Sequence, residues 1–406
     1  MTLATTTLDP TDITLPAFRA NPFPLFKRWR DEQPVVPVKL MGSRAWLLTR
    51  YDDVELGLKD ERLVKNKRNA QDPNKPHREM PLPGFVKPLQ TNILDQDPPD
   101  HTRLRLLVHQ AFLPRLMAQM QSRVHDLAHE LIDTAQQKGK MDLVRDFAVE
   151  IPLVVICDML GVPKKDRAKF HNWSKAMTNV GKPIDAILAM PSIYSMVGYL
   201  RQLFRHYREH PGDNLATMLV KAETENSSLS EDELIGMAAI LLSAGHETTS
   251  GLIGNGVLAL LNNPDQLERL KTEPALMKPA VEELVRFTPP VLIATSRYAR
   301  EDFEVSGTRI SQGDTVYAVV GSANHDERKF EHPEKLMLDR SNNKHLGFGQ
   351  GIHYCIGAPL ARLEASTAFQ VLFERLPNLR LALKPEQLRW ASGLVPRGLQ
   401  SMPVKF

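Results

Sequence analysis

Phe348-Gly349-Gln350-Gly351-Ile352-His353-Tyr354-Cys355-Ile356-Gly357 is the stretch on which the fold turns. Glycine reaches backbone conformations that other residues resist, so the run predicts a tight, irregular loop. Cys355 comes just before a helix expected from about Leu360 to Arg375, with Pro359 suited to its first turn. Free N–H groups and positive partial charge at a helix N-terminus favour thiolate over thiol. A thiolate held there is a soft, strong ligand for one iron. Taken alone, the same cysteine reads more simply as a buried structural thiol beside a Gly-rich turn.

Three further segments extend the pattern. Glu283-Leu-Val-Arg286 places a carboxylate and a guanidinium on one helix face. As a bare pair it would be a surface contact of little worth, but its apolar neighbours Val281, Leu284, Val285 and Phe287 predict burial. His101-Thr-Arg-Leu-Arg105 presents an imidazole and a guanidinium four apart, a pair suited to binding a carboxylate. Ser230-Glu-Asp-Glu233 is a capping box that opens a helix running to about Asn262-Asn263-Pro264, roughly 45 Å long. Its first half is apolar all round and predicts burial, yet its middle reads Ala244-Gly245-His246-Glu247-Thr248-Thr249-Ser250. Polar groups in such a place need partners or a purpose, and Gly245 is expected to loosen the helix there.

The 406 residues include 51 basic and 48 acidic ones, for a formal net charge of +3. No global field draws such a chain to nucleic acid or to an anionic membrane. With only two cysteines, Cys157 and Cys355, a disulfide scaffold and a zinc site of several thiolates are excluded. The N-terminus lacks the basic and apolar regions of a signal peptide, and no run reaches the roughly 18 apolar residues of a membrane helix. A cytoplasmic protein with neither a membrane nor a nucleic-acid partner is expected.

Periodicity predicts a hairpin from Val35–Leu40 and Arg44–Thr49, a loop-rich stretch over 62–100, helices from His101 to about 275, strands over 291–320 and a strand-like tail from 379. With no repeat and no Gly/Ser linker, this is one mostly helical domain with a minor β region. His246-Glu247 begins like a zinc protease motif, but the second histidine is absent. The glycines around Gly349 do not meet the dinucleotide-binding spacing, and there is no phosphate loop. Cys157, in an apolar helical run, reads as core. The basic residues Lys65, Lys67, Arg68, Lys75 and Arg78 read first as a solvated loop, and second as a contact for a substrate carboxylate or phosphate.

Taken in order, His101/Arg105, Ala244–Thr249, Glu283/Arg286, Asn324–Arg340 and Phe348–Gly357 resemble the motifs of the cytochrome P-450 family over about residues 15–406. Gly357-Ala-Pro-Leu-Ala-Arg-Leu-Glu364 is similar to stretches of its macrolide-tailoring members, and the chain looks like a soluble bacterial one. The resemblance implies a single triangular domain over 1–406, after a flexible lead-in of about 15 residues, with a long helix across the haem. It implies haem b, with Cys355 as the iron ligand and His101, Arg105, Arg297 and His353 on the propionates. Phe348 would pack near the thiolate, and Ala244 and Gly357 would also touch the cofactor. Glu283 and Arg286, with Arg340, would tie down the segment before the cysteine loop. Thr248 and Glu247 would serve oxygen activation on the distal side, Glu247 as a proton relay.

The activity implied is insertion of one oxygen atom from dioxygen into a C–H or C=C bond of a medium-sized apolar molecule. Electrons would come from NAD(P)H through a ferredoxin reductase and a ferredoxin, docked on a positive face of Lys344, His345, Arg362, Arg103 and Arg115, and the enzyme would be a monomer. A peroxygenase using hydrogen peroxide and a haem sensor without turnover are the rival readings. Two residues depart from the family pattern: His325 stands where many relatives have arginine, and Leu336 where they have an aromatic residue.

Overall fold

The computed structural model describes residues 11–406 apart from 41–42, 72–82, 112–113, 179–182, 225–226 and 393–394. The chain is mainly α with a minor β region. Two compact units divide it. Met1–His77, Gly251–Ala358 and Leu383–Met402 form the first, and Arg78–Ser250, Pro359–Ala382 and Pro403–Phe406 the second.

The first unit is built on a five-stranded sheet. In spatial order its strands are Val35–Leu40, Ser43–Leu48, Thr315–Ala318, Arg297–Ala299 and Leu63–Val64. The expected hairpin is there, antiparallel, with Val35 opposite Leu48 and Leu40 opposite Ser43. Thr315–Ala318 then pairs parallel to the second strand, Thr315 opposite Ala45. One face buries Trp46, Leu48, Val316 and Ala318 with Tyr51, Val54 and Phe330. The other buries Val36, Val38 and Leu47 with Phe26, Trp29 and Ile13, which lies in the stretch read as a lead-in. This alternation is the period-2 burial of a sheet covered on both sides.

The second unit is helical. Its helices include Asp100–Ala111, Pro114–Lys138, Glu150–Leu160, Arg167–Thr178 and Pro183–Glu209. Cys157 is buried in the third of these, where desolvation pushes its thiol up to about 12, as fits a core residue. The long helix Glu231–Leu261 begins as its sequence predicts. Ser230 N–H donates to Glu233 Oε2 at 2.8 Å, and Glu233 N–H donates to Ser230 Oγ at 3.3 Å.

Two expectations need correction, the strand-like tail and the solvated Lys65. The tail is mostly irregular: among its described residues only Arg380–Leu381 and Pro403–Lys405 are strands, and prolines at 385 and 396 remove ladder donors between them. The described part of 62–100 is loop-rich as expected, with the short strand Leu63–Val64 and 3₁₀ turns at Lys67–Ala70 and Gly84–Gln90. Lys65 is not solvated there. It is buried and donates to Thr295 Oγ1 at 2.6 Å and to Ser296 O at 2.8 Å, while Lys75 and Arg78 lie outside the described residues.

Glu283 and Arg286 are wholly buried on the helix Met277–Phe287. All five guanidinium protons of Arg286 are used: two on Glu283 at 2.8 Å and one each on the carbonyls of Asn324, Pro333 and Lys335. Glu283 also accepts from Arg340 Nε, Asn343 Nδ2 and Met337 N–H. Removing one partner of such a pair strands the other charge in the interior. Glu283→Ala is therefore expected to lower the unfolding free energy by about 3–5 kcal/mol. Urea denaturation is the measurement, and a loss near that of an exposed ion pair would count against this account.

Candidate functional site

The cysteine loop belongs to the first unit. Gly349 and Gly351 both have φ +70°, the left-handed region, and a Cβ on Gly351 would come 3.1 Å from Leu58 O. The chain turns twice there. Cys355 N–H then donates to Phe348 O at 2.9 Å, and Cys355 O accepts from Ala358 N–H at 3.3 Å, where the helix Ala358–Arg375 starts. Cys355 is exposed, so it is not a core thiol. A Cβ on Gly357 would lie 4.0 Å from its sulfur. A thiol at such a helix start is biased toward thiolate.

Arg297 and His353 lie in the same unit. Arg297, in the sheet strand Arg297–Ala299, is buried and donates to Leu58 O at 3.2 Å, and His353 closes the 3₁₀ turn Gly351–His353. The departure at 325 is also explained here. His325 is fully buried, stacks on Phe23 with ring centroids 3.9 Å apart, and bonds Phe287 O through Nε2 at 2.9 Å. Burial first, and then the charges of Arg286, Arg30 and Arg397, hold it well below its ordinary 6.5. It is neutral, and a fourth cation at this place would be costly.

The other candidates belong to the second unit. His101 is buried at the start of Asp100–Ala111, and Arg105 follows one turn later. Burial, and then the Arg105 charge, lower the pKa of His101. On the long helix Ala244 and Gly245 are exposed, and a Cβ on Gly245 would meet nothing within 4 Å. Glu247 and Thr248 are half-buried. Thr248 Oγ1 donates to Ala244 O at 2.6 Å. The helix does not loosen at Gly245. It is continuous from Glu231 to Leu261, because Ser243, Thr248 and Ser250 satisfy themselves on carbonyls of the preceding turn.

Two residues of this unit carry more than their sequence signals showed. His246, met only as half of a failed zinc motif, is buried with Nδ1 3.2 Å from Ser174 Oγ and its ring edge-on to His171. Desolvation lowers it to about 4, so it is neutral. Glu364 is buried in the helix Ala358–Arg375, and desolvation pushes its carboxyl up to about 8 against a hydrogen bond from Thr249. Among the cations of the expected positive face, Arg103 is instead paired with Glu233, and His345 is buried against Glu282. Lys344 is exposed, Arg362 is half-buried, and the side chain of Arg115 lies outside the described residues.

The donor set suits haem. Among the described residues no group of three His, Cys, Asp or Glu side chains could hold a metal ion. Cys355 would offer a single soft thiolate, which fits an iron porphyrin. No helix among the described residues is long and apolar enough to cross a membrane.

A cytochrome P450 family model matches residues 200–387. The chain belongs to that family and is a monooxygenase, an oxidoreductase for which the family implies a haem cofactor. It is 40% identical over 393 residues to a polyketide biosynthesis cytochrome P450, PksS, of Bacillus subtilis (strain 168), covering 96% of each chain. It is 38% identical over 398 residues to a mycinamicin IV hydroxylase/epoxidase of Micromonospora griseorubida, covering 95% of this chain and 98% of that one. The solved structure of PksS, from the bacillaene polyketide synthase of Bacillus subtilis 168, superposes with a TM-score of 0.89 at 39% identity, over 96% of this chain and 97% of that one.

Glu364 makes the second unit sensitive to pH. Its carboxyl titrates near 4.5 when unfolded and near 8 when folded, so between those values folding takes up a proton. Its contribution is fully present below 4.5 and is lost as pH rises through 8. Glu364→Gln keeps the shape without the charge. The variant is expected to flatten stability against pH over that window and to gain on the order of a few kcal/mol at pH 8. Denaturation midpoints at pH 5 and pH 8 measure it; an unchanged slope would refute it.

Proposed function

We propose that this monooxygenase inserts one oxygen atom into a C–H or C=C bond of a medium-sized apolar molecule, with Cys355 as the axial ligand of haem b. The observation that carries it is the exposed Cys355, set in a loop of left-handed glycines at a helix start. The relatives favour the substrate class, one being named for polyketide biosynthesis and another for hydroxylation and epoxidation of mycinamicin IV. Haem, when bound, supplies the dioxygen chemistry.

The chain's own residues then have distinct tasks. Arg297, His353, His101 and Arg105 would each serve as a propionate contact. Phe348 would pack beside the sulfur, and Gly357 and Ala244 would let the flat ring approach the backbone. Glu247 is half-buried and next to Thr248, a position from which a carboxylate can pass protons inward. That pair favours dioxygen over peroxide as the oxidant, because the dioxygen route takes up two protons from solvent whereas hydrogen peroxide brings its own. Electrons would come from NAD(P)H through a reductase and a ferredoxin. The exposed Lys344 and the half-buried Arg362 are the cations near the loop that could attract an acidic partner.

The axial ligand is tested on the haem-loaded protein. Reduced and treated with carbon monoxide, it should show a strongly red-shifted Soret band, and Cys355→Ala should abolish it; a variant that kept the band would end this reading.

Thr248→Ala separates oxygen activation from binding. The variant should keep the carbon monoxide spectrum and substrate affinity, while product formed per NAD(P)H falls severalfold and hydrogen peroxide rises. The substrate chosen should carry no hydroxyl near the reacting carbon. Coupling equal to wild type would remove Thr248 from the mechanism.

A further inference from the structure

The cysteine loop carries a second brace besides the Glu283 network. His345 Nδ1 accepts the Gly347 N–H at 3.1 Å. A ring nitrogen that accepts carries no proton, so the neutral ring bears its hydrogen on Nε2. That hydrogen is donated to Glu282 Oε2 at 3.0 Å. The imidazole is 5% exposed, and its ring lies 5.8 Å from that of Phe348. Around it the loop is pressed against the helix Met277–Phe287: a Cβ on Gly347 would come 2.3 Å from Val285 Cγ1. Leu346 N–H donates to Asn324 Oδ1 at 2.8 Å, and Phe348 O takes the Cys355 N–H at 2.9 Å. Contacts therefore run without a gap from Glu282 through His345 and the peptides of 346–348 to the backbone of Cys355.

We propose that His345, braced by Glu282, is a positioning residue for the Cys355 ligand. It fixes the peptide run from Leu346 to Phe348, and through the Phe348 carbonyl it sets how firmly the sulfur stays in place as a thiolate. This rests on the reading of Cys355 as the axial ligand. Groups bonded to a metal ligand orient it, and their loss commonly weakens the site by about tenfold to a hundredfold; His345 acts through the intervening peptides, so the lower end is expected. A histidine suits the position because one rigid ring offers an acceptor to a nearby backbone N–H and a donor to a carboxylate. Asparagine can replace the acceptor alone, and glutamine the donor alone. The burial and the carboxylate partner also mean that His345 adds little to any positive docking face.

The test uses the full-length haem-loaded protein and follows the red-shifted band of the reduced carbon monoxide complex under mild heating, together with the haem reduction potential. His345→Leu should lose the band about tenfold faster than wild type and shift the potential. His345→Asn should recover most of the lifetime, because the Gly347 contact is the one that touches the loop; His345→Gln should recover little. A Leu variant with wild-type band lifetime and potential overturns the proposal, even if its melting temperature falls, since the histidine would then be structural only. If the Leu variant does not accumulate, the Asn and Gln variants decide: equal lifetimes overturn it. A wild-type protein that never shows the band overturns the Cys355 reading itself, a result distinct from the failure of His345 alone.

Discussion

Everything near the cysteine depends on one buried ion pair. Taking Glu283 and Arg286 out of water is expensive, and their mutual attraction offsets that only when every remaining donor and acceptor is also satisfied. Here they are. Arg286 spends three protons on backbone carbonyls, and Glu283 draws in Arg340, Asn343 and the Met337 N–H. All these partners come from 324–343, a stretch with almost no regular secondary structure. A segment without a ladder must place its backbone polar groups elsewhere. The ion pair is that place, so it works as the nucleus of an irregular fold rather than as an isolated contact.

The helix Met277–Phe287 holds the loop with two consecutive glutamates. Neighbouring helix positions diverge by about 100°, so Glu282 and Glu283 cannot serve the same partner. Glu283 faces inward and takes guanidinium groups; Glu282, 30% exposed, takes His345. From the same helix Val285 meets Gly347 so closely that no side chain fits there. The loop that carries Cys355 is thus fixed by packing and hydrogen bonds before any cofactor enters the account.

What the sequence showed, and what it hid, follows from the range of each interaction. The capping box at Ser230, the hairpin, the turn glycines and the Glu-x-x-Arg spacing are local, and each could be read from neighbouring residues. The charges misread as solvated or docking groups are those whose partners are distant in sequence. Lys65 meets Thr295, Arg103 meets Glu233, and His345 meets Glu282. No periodicity announces such pairings. The raised carboxyl of Glu364 was hidden for the same reason, since its desolvation comes from tertiary burial. Gly245 misled in another way. The hydroxyls around it bond back within the helix, so a glycine that might have marked a break marks only a position without a side chain.

That back-bonding bears on what Thr248 can do. Its hydroxyl hydrogen is engaged by Ala244 O at 2.6 Å, a short and therefore strong contact. A hydroxyl has one hydrogen and two lone pairs, so the atom turned away from the helix is an acceptor. Satisfying the helix and serving a reaction are then not competing tasks. The bond to Ala244 fixes the oxygen in place and leaves it able to receive a hydrogen bond from a water or a protonated ligand. A free rotor would have to give up freedom to do the same. Glu247 precedes it on the chain and is half-buried, and under the proposed function protons would enter through it. The hydroxyls of Ser243, Thr248 and Ser250 are satisfied within the helix, while His246 and Thr249 find partners on other helices; under the proposed function the local bond of Thr248 would preset the acceptor that proton delivery requires.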